Sequence, residues 1–420
     1  MKPALTGLLF LTLLGGITAR AAELSGTLKP EFSITDQSLP DSSLTYVFQV
    51  PLRLMVHHRA GKVNLSAAWA LYPSAGNPAL SVEKGVHIFR LADPENRILP
   101  STWSGSESFS MLHDIDRLNI GVRTSFSTLT LGRQAVYWGV AKSVSPTDFI
   151  APFQYGTLDT EYRTGVDAAR SVFPIGMMSE LDAGYVFGKD ARFSDSGCWL
   201  RGRFYLFRTD ATLLAACFRE NLMIGGSLNR SVGEGTGWVE CAFVSTGFFS
   251  SDRSEETYWS LSAGYDRSWL NAALYGFLEY HFNSPGVDDP EDYPDILSSS
   301  ACRNGGIYLL GKHYLSPGTN WTVTPLLNFT GQALVNLTDV SAYLSMNGEY
   351  SISQNTVIKA GITRGLGRTS NDRKEMQIPN SEPGPDITFF QQDTTSEVIC
   401  SRAGSFSIQI ITPDLYRRTH

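Results

Sequence analysis

The sequence has few charged residues, and after residues 1–21 it has no long apolar run. Asp, Glu, Lys and Arg make up 18% of the 420 residues, whereas about 25% is usual in soluble domains. No later stretch approaches the roughly 18 consecutive apolar residues that indicate a membrane-spanning helix. Lys and Arg number 34 against 41 Asp and Glu, and this acidic balance argues against a nucleic-acid partner. These features exclude a bundle of membrane helices and disfavour nucleic-acid binding.

Cysteine is also scarce, with five residues far apart in the chain. No two of them form a C-x-x-C pair, so neither a metal site nor a redox motif is predicted, and no cofactor is expected. Four of them fall in strand-like runs, where a small apolar residue is the simpler interpretation. We therefore expect a fold that does not depend on disulfides. The five are Cys198, Cys217, Cys241, Cys302 and Cys400.

The first residues have the pattern of a secretory signal peptide. Lys2 precedes an apolar run that ends at Leu14, and Ala19-Arg20-Ala21 follows. A basic start, an apolar middle and an A-x-A end are typical of a cleaved export signal. A membrane anchor is the alternative, but the run is shorter than the roughly 20 residues that a span requires. We predict a cleaved signal peptide over residues 1–21 and one exported domain over residues 22–420.

Alternation of apolar and polar residues dominates the rest of the chain. Every second residue from Leu44 to Val56 is large and apolar over thirteen positions. Such a set lies on one face of a β-strand but is scattered around a helix. Thirteen residues exceed the usual strand of soluble proteins, whereas a tilted strand across a bilayer needs about 9–11. Similar runs recur at residues 118–122, 181–187, 259–265, 274–282 and 406–410.

Two architectures have this pattern. In a soluble β-sandwich the apolar face points to a dry core, whereas in a membrane barrel it points to lipid. Long strands, hairpins roughly every 20–25 residues and aromatic residues near strand ends favour the barrel. We predict an all-β fold, a single antiparallel transmembrane β-barrel of about 16 strands (roughly 14–18), with an inward-folded loop after the first third. The aromatic residues are Tyr46, Trp69, Tyr72, Trp259, Tyr280 and Phe282.

Two segments resemble a family of Gram-negative outer-membrane porin-like barrels. Leu131–Gly139 (LGRQAVYWG), followed by Ser145–Phe149 (SPTDF) and Pro152, is similar to a segment of that family. Asn336–Ser341 (NLTDVS) is similar to its closing hairpins. The resemblance implies a pore-like protein of the cell outer membrane, in contact with outer-membrane lipid and lipopolysaccharide. It also implies the barrel-assembly machinery as a partner, and it leaves a homotrimer open.

The end of the sequence departs from that family. Such barrels commonly finish on an aromatic residue that the assembly machinery recognises. Here the last alternating run is followed by further residues up to His420. We therefore expect the aromatic signal to be blurred, or to be shifted inward to Phe406 or Tyr416.

The longest non-alternating stretch in the first half, residues 139–165, supplies the predicted inward loop. Its Pro146-Thr147-Asp148 sequence is typical of a helix start. We predict that the loop narrows the pore and that its carboxylates face a basic wall, giving a transverse field. The alternative is a loop outside the barrel, with arginines that merely pair with carboxylates of the lumen. The predicted constriction residues are Arg117, Arg123, Asp148, Asp159, Glu161, Arg201 and Arg203.

The predicted function is passive diffusion of small polar solutes. Arg outnumbers Lys 25 to 9, which is compatible with anionic solutes because the guanidinium group binds carboxylate and phosphate well. Genome base composition gives the same bias. The alternative is a non-conducting barrel that serves as an adhesin or complex scaffold.

An outer-membrane hydrolase is less favoured. The only close pairing of imidazole and carboxylates is His113-Asp114-Ile115-Asp116, which we expect to form a turn before the Arg117 strand. No G-x-S-x-G, H-E-x-x-H or phosphate-binding loop occurs. We therefore predict that the protein is not an enzyme and has no catalytic residues.

Two further segments are rich in turn-forming residues. Residues 285–295 are acidic and interrupted by proline, and a solvated extracellular loop is favoured there over a divalent-cation site because the regular ligand spacing is missing. Residues 365–386 have the composition of a surface loop.

Overall fold

The structure, a computed structural model, describes most of the chain after residue 21. The described residues are 22–37, 43–77, 89–91, 97–99, 109–151, 162–250, 256–303, 306–354, 356–367 and 404–411. The predicted signal peptide and most of the predicted 365–386 loop lie outside them. None of the helices in the described ranges is long and apolar enough to cross a membrane.

Antiparallel strands make up most of the described chain. In the first half they are β1 Ala22–Leu28, β2 Glu31–Gln37, β3 Ser43–Gln49, β4 Leu52–Ala60, β5 Val63–Asn77, β6 Arg97–Leu99, β7 Phe109–Arg123, β8 Thr128–Gln134, β9 Val166–Ile175 and β10 Ser179–Val186. In the second half they are β11 Gly197–Leu206, β12 Thr209–Phe218, β13 Asn221–Val232, β14 Gly235–Ser245, β15 Thr257–Trp269, β16 Leu274–Asn283, β17 His313–Thr324, β18 Leu327–Asn336, β19 Ala342–Ser353, β20 Thr356–Leu366 and β21 Gly404–Ile411.

Helical structure is confined to short segments between strands. The described residues contain two short α-helices, Tyr293–Ser298 and Ser300–Arg303. They also contain 3-10 turns at Lys189–Ala191, Phe193–Asp195 and Pro290–Asp292.

The strands form one closed ring. Each strand from β7 to β21 pairs with the next, β5 pairs with β7, and β21 also pairs with β2. Prolines interrupt two strands, at Lys29-Pro30 between β1 and β2 and at Val50-Pro51 between β3 and β4, because proline has no amide hydrogen to donate to the ladder. β2 pairs with β3, and β1 pairs with β4. β1 and β2 together therefore count as one strand of the ring, and so do β3 and β4.

The ring therefore contains 18 strands in the described chain. Of the 21 strands, two are continuations and β6 only adds to β7, which leaves 21 − 2 − 1 = 18. The predicted fold class, a single antiparallel transmembrane β-barrel, is confirmed. The strand number is two above the predicted 16 and lies at the top of the predicted range. Barrels of this size are wide enough to enclose an aqueous channel.

The two faces of the ring have opposite chemistry. Along β14, Val239 and Phe243 point outward and are 43% and 48% exposed, whereas Trp238 and Glu240 point inward and are buried. In a soluble protein an apolar surface of this extent would be covered, but in a membrane barrel it faces hydrocarbon. Other exposed outward residues are Leu118, Ile120, Leu131, Leu200, Leu213, Ile224, Leu278 and Ile362.

Aromatic side chains occur near both ends of the apolar belt. Trp259 stacks on Phe282 at 4.5 Å between ring centroids, and the Tyr280 hydroxyl lies 2.6 Å from Nδ1 of His313. Trp269 lies at the opposite end of the same strand as Trp259. In a strand tilted by about 45°, this separates the two indole rings by about 25 Å along the barrel axis, which is the height of the apolar band of outer-membrane barrels.

One pair of cysteines differs from the expectation. Cys198 on β11 and Cys217 on β12 lie directly opposite each other, with their Cα atoms 5.1 Å apart, and form a disulfide. The interpretation of these two residues as merely small apolar side chains was therefore wrong. The hairpin register explains the pairing, because both residues lie nine positions from the central pair of the turn, Phe207 and Arg208.

Candidate functional site

A long segment between β8 and β9 lies inside the barrel. We call residues 135–151 the inward loop. Its side chains Val136, Trp138 and Ile150 are buried in the main hydrophobic cluster. The Trp138 ring contacts that of Trp199 on the inner face of β11, with 5.3 Å between ring centroids. The inward-folded loop, predicted for residues 139–165, is therefore confirmed over residues 139–151.

The inward loop has no helix. Pro146-Thr147-Asp148 forms a turn in which the Asp148 amide donates to the Ser145 carbonyl oxygen at 3.3 Å. The predicted helix start was therefore wrong. The turn is held from outside the loop, since both the Thr147 amide and the Thr147 hydroxyl donate to Glu240.

Glu240 on β14 is the first of two carboxylates that bind the loop. One oxygen, Oε2, accepts the Val140 and Ala141 amides at 2.7 and 3.0 Å. The other, Oε1, accepts the Ser145 hydroxyl at 2.5 Å and the Thr147 amide and hydroxyl at 3.0 and 2.6 Å. Five donors on one carboxylate account for the complete burial of this charge.

Glu279 on β16 is the second. Its Oε1 accepts the Ser143 and Val144 amides at 3.0 and 3.1 Å. Its Oε2 accepts the Lys142 amide at 2.6 Å and Nε1 of Trp238 at 2.9 Å. The side chain is 1% exposed. We call Glu240 and Glu279 the loop carboxylates. Together they accept six backbone amides of the inward loop, those of residues 140–144 and 147.

Neighbouring strands add contacts to the same loop. The Ser143 hydroxyl donates to the Ser316 hydroxyl on β17 at 2.7 Å, and the Gln332 amide on β18 donates to Ser143 at 3.0 Å. The Ser262 hydroxyl on β15 donates to the Val144 carbonyl oxygen at 2.5 Å. The loop is thus fixed against the inner wall from β11 to β18.

Glycine is required at one position of this loop. Gly139 has a φ of +122°, and a Cβ atom there would collide with the Ser145 hydroxyl and lie 3.2 Å from Oε1 of Glu240. Any side chain at Gly139 would therefore displace the groups that bind Glu240.

A cavity of about 410 Å³ lies between the inward loop and the inner face of β9, β11, β12 and β13. Tyr137, Trp138 and Val140 line its loop side. On the barrel side it is lined by arginines from β9 and β11, which we call the cavity arginines. They are Arg170, Arg201 and Arg203.

The cavity arginines are only partly neutralised. Arg170 donates to Asp182 through Nε at 3.0 Å and Nη2 at 2.7 Å, and Arg201 forms an ion pair with Glu180. Arg203 is exposed and has no ion-pair partner among the described residues. Two of the three cavity arginines are therefore paired with carboxylates, and the Arg203 guanidinium group is not.

The four arginines of the predicted basic wall do not all lie near one another. Arg201 and Arg203 line one cavity, but Arg117 lies on β7, four strands away around the ring. Arg117 pairs with Asp116 at 2.9 Å and donates to the Arg163 carbonyl oxygen at 2.6 Å. Arg123 is exposed at the last residue of β7, next to a short turn. The constriction formed by the seven residues stays a prediction.

The acidic side of the predicted constriction is described only at Asp148. That side chain is buried, forms an ion pair with Arg163 and does not line the cavity. Burial raises the pKa of Asp148 to about 6, against the opposing effect of the Arg163 charge. Asp159 and Glu161 lie outside the described residues.

The sequence His113-Asp114-Ile115-Asp116, which pairs imidazole with carboxylates, lies in a strand. His113 and Asp114 lie within β7 and are buried, so the turn expected there was wrong. Asp114 accepts Nη1 of Arg90 at 2.7 Å. That carboxylate is therefore engaged by a cation inside the barrel wall.

The acidic segment 285–295 contains a 3-10 turn and the start of a short helix. Asp289 caps the 3-10 turn by accepting the Glu291 amide at 3.0 Å, and Tyr293 is buried with Ile296. The acidic residues of the segment are all exposed, as expected of a solvated loop, and they are Asp288, Asp289, Glu291, Asp292 and Asp295. Among the described residues no group of three or more His, Cys, Asp or Glu side chains is arranged to hold a metal ion.

Sequence reasoning missed Arg170, Glu240 and Glu279 as functional candidates. Glu279 stands in the polar register of a recognised run, so its inward direction was predictable. Its partners were not, because Glu279 and Ser143 are 136 positions apart in sequence. Arg170 lies on β9, a strand whose inner face also has the small or apolar Val166 and Ala168, which hides the alternation.

Solved structures of bacterial outer-membrane proteins have a similar fold. OccK5 (OpdH) of Pseudomonas aeruginosa is 10% identical with a TM-score of 0.56, over 95% of this chain and 99% of that one. OpdK of the same organism, with vanillate, is 10% identical with a TM-score of 0.54, over 93% and 98%. Its outer membrane protein OprD is 10% identical with a TM-score of 0.51, over 95% and 94%. At this identity the likeness shows the fold alone.

The sequence itself gives no closer relationship. No family model matches it, and no curated protein matches it. The similarity to the three solved structures confirms the resemblance to porin-like barrels at the level of the whole fold.

Proposed function

We propose that the protein is an outer-membrane channel for passive diffusion of small polar solutes, with a preference for anionic ones. The observation that carries the proposal is the cavity inside a closed barrel, lined by Arg170, Arg201 and Arg203. A pore selects by the charge and width of its narrowest part. The cavity lies beside the inward loop.

The anionic preference rests on the one cavity arginine that has no ion-pair partner among the described residues. Asp182 and Glu180 neutralise two of the three cavity arginines, and Arg203 remains exposed to the cavity. A guanidinium group binds a carboxylate through two parallel hydrogen bonds. A small carboxylate in the cavity would therefore meet an available fork of donors. OpdK, a protein of similar fold, was solved with vanillate, which is an aromatic carboxylate.

Swelling of proteoliposomes tests this proposal. Vesicles containing the purified barrel are diluted into isotonic solutions of a small carboxylate, a small amine and a neutral sugar of similar size. We expect the fastest swelling with the carboxylate and slower swelling with the amine. Equal rates for all three solutes would remove the anionic preference, and rates equal to those of protein-free vesicles would remove the channel.

A non-conducting barrel that acts as an adhesin or complex scaffold is the second candidate. One observation favours it: Phe89, Ala301 and Ile307, from two other long loops, pack in the same hydrophobic cluster as the inward loop. Segments of three loops therefore occupy part of the interior. The swelling assay separates the two candidates, because a scaffold with a filled lumen gives no solute flux.

The proposed location implies further partners. The exposed apolar belt fits outer-membrane lipid, and the long loops at one end would reach lipopolysaccharide. Insertion would need the barrel-assembly machinery, and a homotrimer is one assembly that the belt allows. We propose no enzymatic activity.

A further inference from the structure

We propose that Glu240 and Glu279 are positioning residues that set the width of the channel by binding the amide hydrogens of the inward loop. The control of channel width rests on the proposed channel function, whereas the hydrogen bonds between the glutamates and the loop do not depend on it. Both side chains project from the inner wall, and both are almost completely buried beneath the loop. Neither is among the residues that line the cavity.

The hydrogen bonds require carboxylates rather than amides. Each oxygen of Glu279 accepts two N–H donors, and each oxygen of Glu240 accepts at least two donors. A glutamine side chain offers one accepting oxygen and one donating nitrogen. Replacement of either glutamate by glutamine therefore turns at least two attractive contacts into donor against donor.

The same contacts determine the shape of the cavity. Glu240 binds Val140 and Thr147, and both of these residues also line the cavity. Glu279 binds the next residues along the loop, Lys142 and Ser143. Movement of the loop from its carboxylates would therefore change the cross-section available to a solute.

The two glutamates hold different parts of the loop. Glu279 binds the amides of residues 142–144, whereas Glu240 binds those of residues 140, 141 and 147. Each substitution should therefore release its own amides first. A general loss of barrel stability would instead affect strands far from the loop.

Hydrogen exchange of the folded barrel in detergent measures this directly. In E279Q we expect the amides of residues 142–144 to exchange about tenfold faster or more, because each loses a bond to a charged acceptor. In E240Q the amides of residues 140, 141 and 147 should respond in the same way. The matched control is E349Q, which removes an inward carboxylate of β19 whose described partner is Lys359 at 3.2 Å. Unchanged exchange in both loop variants would overturn the proposal.

Single-channel recording tests the consequence for width. The wild-type channel should show one steady conductance level, and E279Q should switch between levels as the loop moves. A second variant, S143C and S316C added to E279Q, places two thiols where the hydroxyls lie 2.7 Å apart. Oxidation should restore the single level, and reduction should bring back the switching.

The outcomes separate the two proposals. A wild-type barrel that gives no channels contradicts the proposed function, whereas hydrogen exchange still decides whether the glutamates hold the loop. Faster exchange in E279Q together with one steady level identical to that of the wild type would overturn the control of channel width.

Discussion

The loop carboxylates and the cavity arginines occupy the same inner wall but have different surroundings. Glu240 and Glu279 are 0% and 1% exposed, and loop donors surround their oxygens. Arg203 is exposed and lacks a partner among the described residues. Both kinds of charge stand at inward positions of β-strands, so strand register alone does not distinguish them.

The difference teaches which charges of a lumen are available to solutes. A buried carboxylate whose acceptors are all used stabilises the loop, and its removal leaves buried donors unpaired. An exposed guanidinium group contributes little to stability and keeps its donors for a solute or for water. The count of satisfied hydrogen bonds therefore separates structural charges from functional ones.

The largest effect on stability should come from E240A. Five donors of the inward loop would lose their acceptor, so the free energy of unfolding should fall by about 3 kcal/mol or more. Urea titration of the barrel in lipid vesicles measures it. E349A serves as the control, since its half-exposed pair with Lys359 should be worth less than about 1 kcal/mol. Equal losses in the two variants would show that the hydrogen bonds to Glu240 contribute no more to stability than a half-exposed ion pair.

A charge on the outer face should have the next largest effect. Leu278 precedes Glu279 on β16 and points the opposite way, with 51% of its surface exposed. We expect L278R to lower the free energy of unfolding by about 2–4 kcal/mol, because the charge would lie in hydrocarbon. L278A is the comparison without a charge. If both variants unfold at the same urea concentration, the outer face of β16 does not contact lipid.

Protonation of the buried Asp148 in the inward loop should make a smaller contribution to stability. The pKa of Asp148, raised to about 6 by burial, lies above its usual value in an unfolded chain. The folded state therefore binds this proton more tightly, and the free energy of unfolding should rise by about 1 kcal/mol as the pH falls from 7 to 5. D148N should lose this increment. Arg163 and Glu240 also act on Asp148, so their charges must be unaltered in the comparison.

The smallest effect on stability should come from R203A. We expect a change within about 0.5 kcal/mol, as for an exposed residue without specific contacts. The unfolding midpoint of this variant in urea checks it against E240A. A loss as large as that of E240A would show that Arg203 is a structural charge.

The fold was largely predictable from the sequence because each strand carries its own evidence. The alternation around Leu278, Glu279 and Tyr280 shows which residues face outward without any knowledge of neighbours. The strand number was harder, since strands such as β9 have small or apolar residues on their inner face, which hides the alternation. The disulfide was hidden because its pairing depends on recognising the turn at Phe207 and Arg208.

The candidate site was predictable only in part because its contacts are distant in sequence. A polar residue at Glu240 has an inward direction from the strand period, but its partner Val140 lies 100 positions earlier. Only closure of the barrel brings them together. Arg201 and Arg203 were found because they stand in the polar register of a clear strand, whereas Arg170 was not.

The reversal potential of single channels under a KCl gradient tests the central claim most directly. In the proposed function the cavity arginines line the path of the solute, so the wild-type barrel should conduct and its reversal potential should have the sign of anion selectivity. R203A should shift that potential toward zero while the barrel stays folded. Cation selectivity in the wild type, or an identical potential in R203A, would contradict the account.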